Sequence, residues 1–223
     1  MPSPFVKYNH SGYPDALLAE ARGLELLRRA LAGSELRVPQ VLRADESQLE
    51  MTAIGRGAFG ADQWAALGRG LADLHRARGE SFGLDEDNYI GLNPQFNGVD
   101  HDWGRFFLQR RLLPQVQMIA NSGVKHRFAD VLKRCGEALA QWLNAHDPWP
   151  SPVHGDLWNG NVLCDAGGDV WLIDPAAHWA DREVDIAMTE MFGGFGAAFY
   201  DAYRQALPLA AGYDQRRPIY NLY

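Results

Sequence analysis

The sequence predicts an α+β protein of two unequal lobes, a small N-terminal one with few strands and a larger, mainly helical one. Three observations carry this reading. The first third holds only short strand-like segments around one strongly helical run, and from Ala61 onward apolar residues recur at helical spacing. Late in the chain a single hairpin pattern, 162–173, interrupts the helices. With 223 residues, 47% of them hydrophobic and only 22% charged, the chain can bury a sizeable core, and disorder throughout is excluded.

Taken in order, the apolar segment Pro4 to Tyr8 precedes a turn-like Asn9-His10-Ser11-Gly12 and then a run rich in Ala, Leu, Glu and Arg from Asp15 to Leu31. These read as strand, turn and helix. After Pro39, Gln40 to Ala44 and Gln48 to Ile54 form a strand pair with Asp45-Glu46-Ser47 as its turn. Trp64, Leu67, Leu71 and Leu74 mark a helix over 61–78 that ends near Gly79. Residues 84–101 are rich in Gly, Pro, Asn and Asp and read as a long ordered loop, a setting in which function is common. Two helices follow, roughly Trp103 to Ala120 and His126 to Asn144, separated by Asn121-Ser122-Gly123 and stopped by Asp147-Pro148. Val162-Leu163-Cys164 and Val170 to Ile173 make the hairpin around a Gly-rich turn, and another helix begins near Val184.

Composition narrows the functional classes. With 21 basic and 28 acidic side chains the formal charge is −7, which disfavours unassisted binding to nucleic acid. No stretch approaches the roughly 18 to 20 apolar residues of a spanning helix, and Met1-Pro2-Ser3-Pro4 lacks the apolar run of a signal peptide. A cytoplasmic protein without a membrane partner is expected. Cys135 and Cys164 form no CxxC pair, and reduced thiols are the simplest account of them. The 7 histidines show no metal-binding spacing, so no zinc site is assigned.

The densest chemical signal is Val153-His154-Gly155-Asp156-Leu157-Trp158-Asn159-Gly160-Asn161, followed by the hairpin and Ile173-Asp174-Pro175. Phosphoryl transfer needs a carboxylate that receives or orients the proton of the attacking hydroxyl, and oxygen ligands for Mg2+ on the triphosphate of ATP. The spacing supplies Asp156 as base and Asn161 as metal ligand on one loop, with Asp174 as the second metal carboxylate at the end of the hairpin. As turn and cap residues, three such groups would rarely fall at this spacing. A kinase also needs a lysine on the phosphates, held by a glutamate on the next helix. Lys7 in Phe5-Val6-Lys7 and Glu20 on the first helix fit in order and spacing, with Glu25 as the second candidate. Alone, Lys7 would read equally as an exposed strand lysine.

Gly55-Arg56-Gly57-Ala58-Phe59-Gly60 matches the G-x-G-x-x-G of dinucleotide-binding turns, but the following helix brings no second strand ending in an acid. It also lies far after Lys7, whereas a kinase Gly-rich loop precedes its lysine. The segment is therefore read as a flexible linker between lobes. His154 is expected to orient the catalytic loop. Most tryptophans are expected in the core, with Trp158 placed either to pack or to offer a face to a sugar.

These residues resemble the fructosamine and ketosamine kinases, in the aminoglycoside-phosphotransferase branch of protein-kinase-like folds. The resemblance rests on the 154–161 loop with its Trp158. Asp87-Asn88-Tyr89-Ile90-Gly91, Pro94 to Asn97, Trp103 to Phe107, Arg111 to Gln115 and Arg182 to Phe195 reinforce it. It implies a bilobal protein-kinase-like fold and transfer of the γ-phosphate of ATP to the 3-hydroxyl of a ketoamine, free or on a protein. The phosphorylated adduct breaks down, so the implied role is deglycation. By matching position, the resemblance makes Asp156 the proton acceptor, puts Asn161 and Asp174 on Mg2+, and puts Lys7 with Glu20 on the phosphates. It further implies that Met51, Thr52, Ala53 and Ile54 are the hinge reading adenine, that Asp185 braces the catalytic loop, and that Asp87, Asn88, Gln95 and Asn97 are candidates for substrate.

Only six residues precede Lys7, so the strands and Gly-rich loop that normally cover the phosphates are expected to be missing, and Tyr223 to fall short of the family's last helices; the reading is either a truncated or misassigned reading frame or a protein that works with an abbreviated N-lobe. An abbreviated N-lobe, 1–54, and a mainly helical C-lobe, 55–223, are expected. Two alternatives remain at this point. One is a related small-molecule kinase of choline or aminoglycoside type, the latter favoured by Asp85, Glu86, Asp87, Asp100 and Asp102. The other is a catalytically weak kinase-like binding protein, because the Gly-rich loop is missing.

Overall fold

In the computed structural model, which describes residues 3–223, the N-terminal third wraps one amphipathic helix in short strands. Strand β1 (Phe5–Tyr8), helix α1 (Ala16–Ala30), and strands β2 (Leu36–Arg37), β3 (Val41–Ala44) and β4 (Gln48–Met51) follow one another. The sheet order is β1-β4-β3, antiparallel, with Lys7 opposite Leu49. Leu17, Leu24 and Leu27 recur at 3.6-residue spacing on α1 and are all buried, each contributing about 1.5–3 kcal/mol of transfer free energy. The expected strand 48–54 stops at Met51; the Thr52 amide makes one more bond in the same register, to Gln40 O at 3.0 Å.

Helix α2 (Ala61–Arg76) carries Leu67, Leu71 and Leu74, all fully buried, through the centre of the larger lobe. The expected loop 84–101 holds a small hairpin, β5 (Asn88–Ile90) and β6 (Asn93–Gln95), turning at Gly91 with positive φ. Helices α3 (Trp103–Phe107) and α4 (Leu113–Met118) flank a π-helical turn, Leu108–Leu112, where one continuous α-helix was expected. Pro114 has no N–H to give to the carbonyl of Arg110, four residues back, and the Arg111 guanidinium donates to it instead at 3.0 Å. Helix α5 (Ser122–Asn144) starts four residues before the expected His126. Asn121, read as part of a separator, is its N-cap and accepts from the Val124 amide at 3.0 Å.

Strands β7 (Ser151–Val153), β8 (Val162–Cys164), β9 (Val170–Leu172) and β10 (His178–Ala180) form two sheets. β8 and β9 are the expected hairpin, to which β2 adds in parallel, while β7 pairs with β10. Helices α6 (Glu183–Thr189), α7 (Ala197–Ala206) and α8 (Tyr213–Tyr220) complete the described chain. Two hydrophobic clusters result: Leu157, Val162 and Leu172 belong to one with α1, α2 and α7, and Val153 and Ala180 to another with Trp103, Phe106 and Phe107. The segment 154–161 thus runs from one core to the other, anchored at both ends. Among the described residues no helix is long and apolar enough to cross a membrane.

Behind the second cluster, His146, Asp181 and Glu183 come together. The two carboxylates are already engaged: Arg216 forks onto Glu183 at 2.7 and 2.9 Å, and Tyr220 and His146 donate to Asp181 at 2.6 and 2.8 Å, while His146 Nδ1 has no hydrogen-bond partner among the described residues. This buried ion network joins the end of α5 to α6 and α8.

Candidate active site

The loop after β7 is shaped by backbone demands. Gly155 has φ +80°, and a Cβ there would lie 2.3 Å from Ala176 O, so only glycine fits. Asp185, at the start of α6, accepts the amides of His154 and Gly155 at 2.7 and 2.9 Å and the His75 Nε2 at 3.2 Å. His75 Nδ1 in turn accepts from Tyr203 Oη at 2.8 Å, to which Arg182 donates at 2.9 Å. Burial alone would raise the Asp185 pKa, but these donors hold it below the ordinary carboxylate value. His154 donates Nε2–H to Ile173 O at 2.9 Å and accepts the Asp156 amide on Nδ1 at 3.2 Å. Its pKa is lowered by burial, so it serves as a neutral strut between the loop and β9's exit.

Asp156 is lifted above the usual carboxylate value by desolvation, opposed in part by the side-chain amide of Asn161. That amide donates to Asp156 Oδ2 at 2.9 Å and to its backbone O at 2.8 Å, which leaves Asn161 Oδ1 as an oxygen donor. Asp174 sits at φ +51°, a left-handed conformation costly for a side-chain-bearing residue and common where function fixes geometry. Lys7 Nζ lies 2.8 Å from Glu20 Oε2 and 3.1 Å from Asp174 Oδ1. Burial would lower the lysine pKa, but the two carboxylates outweigh it and the pKa is raised.

A cavity of about 500 Å³ joins Lys7, Glu20, Asp156, Asn161 and Asp174, with Trp158 at one side and Asn88, Tyr89 and Leu92 of the hairpin on another. Trp158 is 39% exposed and meets Phe192 edge to face, ring centroids 6.0 Å apart. Asn161 and Asp174 offer hard oxygen donors to the same space, which fits a magnesium ion.

Other candidates are placed differently. Glu25 is committed to Arg28 and Arg29 on the surface, so Glu20 is the partner of Lys7. Asp87 is outside the cavity; it accepts the Asn97 amide at 2.7 Å and lines a separate cleft with Arg22 and Glu86. The Asn88 side chain, though at the cavity's edge, is spent on structure: it donates to Ala177 O at 3.0 Å and accepts from Gln95 and Asn97, both at 2.8 Å. Met51, Thr52, Ala53 and Ile54 do not line this cavity, and the Thr52 amide is already given to Gln40. The supposed flexible linker is tethered: Gly57 N donates to Cys164 O at 2.7 Å, and a Cβ at Gly57 would lie 2.1 Å from Asp165 O. Tyr89, missed as an individual residue, lines the cavity and donates its hydroxyl to Asp15 at 2.5 Å. An aromatic between Asn88 and Ile90 in an otherwise Gly- and Asn-rich stretch was the available signal.

A family model for fructosamine kinase matches residues 2–223. The chain belongs to the fructosamine kinase family. A "Probable ketoamine kinase" of Vibrio vulnificus is 37% identical over 225 residues, covering 98% of this chain and 76% of that protein. The solved structure of a fructosamine-3-kinase-like protein of Haemophilus somnus superposes with a TM-score of 0.84 at 30% identity, over 99% of this chain and 74% of that one. An aminoglycoside phosphotransferase of Streptomyces rimosus shares the fold alone, with a TM-score of 0.57 at 21% identity over 99% of this chain and 85% of that one. This fructosamine kinase family member therefore has the bilobal kinase-like fold and is an ATP-dependent phosphotransferase.

Proposed function

We propose that this kinase phosphorylates the 3-hydroxyl of a ketosamine, a fructosamine or ribulosamine adduct, using ATP with Mg2+, and so acts in deglycation. The supporting observation is that Lys7, Glu20, Asp156, Asn161 and Asp174 share one cavity although they span most of the chain. Asp156, made more basic by burial, accepts the proton of the sugar hydroxyl as its oxygen bonds to the γ-phosphorus. The bond from that phosphorus to the β-γ bridging oxygen breaks, and ADP leaves. Lys7, held by Glu20, places its charge on the phosphates. Asn161 and Asp174 would hold Mg2+, which when bound neutralises the triphosphate and orients it. Asn161 also orients the base, through its amide. A phosphate at C3, beside the C2 carbonyl, is a leaving group, and its loss leads to release of the amine.

The acidic residues that would suit an aminoglycoside do not line the cavity. Asp85, Glu86 and Asp87 line the separate cleft, where Arg22 pairs with Glu86 at 2.9 Å. Asp100 is paired with Arg105, and Asp102 accepts the Arg105 amide at 2.7 Å and the Asn144 side chain at 2.8 Å. The test is phosphate transfer from ATP and Mg2+ to fructosamine, ribulosamine, choline and aminoglycoside acceptors, with Asp156→Asn beside the wild type. Transfer to a ketosamine that vanishes in the variant supports the proposal; preference for choline or an aminoglycoside overturns it.

A further inference from the structure

Arg111 is a guanidinium with 1% of its surface exposed; among the described residues no carboxylate is within ion-pair distance of it, and the more distant Asp87 offsets its charge only in part. It lies on the π-helical turn and donates to Phe96 O, to Arg110 O at 3.0 Å and to Asn97 Oδ1 at 2.9 Å. Its charge rests over the rings of Phe106 and Tyr223, at 4.7 and 5.2 Å. Burial pushes its pKa down to about 10, the mark of a cation held where solvation is poor. A buried charge without a directly paired counter-ion is costly, and an apolar side chain would fill the volume at no such cost. What the guanidinium does that an apolar side chain cannot is hold the two residues that follow β6, through Phe96 O and Asn97 Oδ1, and with them the end of the β5–β6 hairpin.

From there a closed set of hydrogen bonds leads to the catalytic centre. Asn97 and Gln95 both donate to Asn88 Oδ1, Gln95 also donates to Ala176 O at 3.0 Å, and Asn88 donates to Ala177 O. Ala176 follows Asp174 by two residues, and its carbonyl is the one that forces glycine at 155. Tyr223 closes the set from the other side, donating to Gln95 Oε1 at 2.8 Å. The same hairpin presents Tyr89 and Leu92 to the cavity that holds Asp156. One end of this network is therefore Arg111 and the other is the backbone beside the metal-binding and catalytic residues.

We infer that Arg111 is a positioning residue for the acceptor: it fixes the β5–β6 hairpin as the wall against which the ketosamine sits, and it has no part in holding ATP. The inference rests on the ketosamine reading only for the identity of the acceptor. Its weight comes from the fork geometry, so the charge alone does not suffice.

The experiment compares wild type, Arg111→Lys, Arg111→Met and Asn97→Ala in two readouts. Asn97→Ala removes one acceptor of the guanidinium without emptying the buried site, and serves if Arg111→Met fails to fold. In steady-state kinetics, each folded variant is expected to lose about 10- to 100-fold in kcat/KM for the acceptor, mostly through KM, while KM for ATP stays within about twofold. Lysine, keeping the charge without the fork, is expected not to rescue. In hydrogen exchange, amides of residues 88–97 are expected to exchange faster, with those of 154–161 unchanged. Equal losses toward ATP and acceptor, or unaltered exchange over 88–97, would overturn the inference. If the wild type prefers a different acceptor, the ketosamine reading fails, yet the split is measured on that acceptor; with no transfer at all, the exchange result decides.

Discussion

Asn161 holds Asp156 with one amide group, which donates both to the carboxylate Oδ2 at 2.9 Å and to the backbone carbonyl at 2.8 Å. A carboxylate at position 161 could still bind a cation, but it could not donate, and it would set a second negative charge beside the base. Asn161→Asp is therefore expected to lower kcat by about 10²-fold and to move the acid limb of the rate profile to higher pH. A pH profile superimposable on the wild type would contradict the assigned role of the amide.

The wild-type profile itself carries a prediction. Asp156 must be unprotonated to take the hydroxyl proton, and desolvation, opposed in part by the Asn161 amide, leaves its pKa above the ordinary value. kcat/KM should then fall as the pH drops through an inflection above about 4, the range of an unperturbed carboxylate. Asp156→Asn should remove that limb and about 10²- to 10⁴-fold of the rate, with the fold intact by circular dichroism.

Lys7 bridges two carboxylates, Glu20 at 2.8 Å and Asp174 at 3.1 Å. Lys7→Met removes the charge assigned to the phosphates, and kcat/KM for ATP is expected to fall about 10²-fold while the acceptor KM stays within about twofold. Glu20→Gln keeps the shape and weakens the hold, so a smaller loss in the same direction is expected. Loss confined to the acceptor KM would place Lys7 on the wrong substrate.

The parts of this site that the sequence made legible are those fixed by local spacing. Asp156, Asn161 and Asp174 surround one hairpin, and Lys7 and Glu20 sit on adjacent elements, so order along the chain is nearly order in space. Asp185 was legible only through the family resemblance, and the residues that support it were hidden because they are non-local. His75, Arg182 and Tyr203 join Asp185 in one chain of hydrogen bonds only after α2, α6 and α7 pack, and β2 joins β9 across a sequence separation of 134, Leu36 to Val170. The polar residues of 84–101 misled for a related reason. Asn88, Gln95 and Asn97 look available in a Gly-rich stretch, yet their side chains are consumed in satisfying buried backbone and one another, and Asp87, though exposed, takes the Asn97 amide on one carboxylate oxygen. Helix starts shifted where a cap, Asn121, resembles a linker residue.

Three buried histidines give stability a definite pH dependence. His75, His154 and His178 are each pushed below the usual imidazole value, by burial first, and His178 falls to about 3 with Arg111 as a second cause. The folded state keeps these rings neutral, while the unfolded chain binds protons on them below about pH 6.5. The unfolded state therefore takes up more protons as the pH falls, and stability is full above about 6.5 and declines below it. His178 alone should cost about 2 kcal/mol between pH 7 and pH 5, and the other two steepen the fall. Asp185, held below its ordinary value, keeps its contribution through this range and loses it only at more acidic pH. Urea titrations at pH 7 and pH 5 measure the difference directly. His178→Gln, which keeps a donor for Ala176 O without a titrating ring, is expected to reduce it by about 2 kcal/mol. An unchanged difference in that variant would show that His178 is not buried neutral.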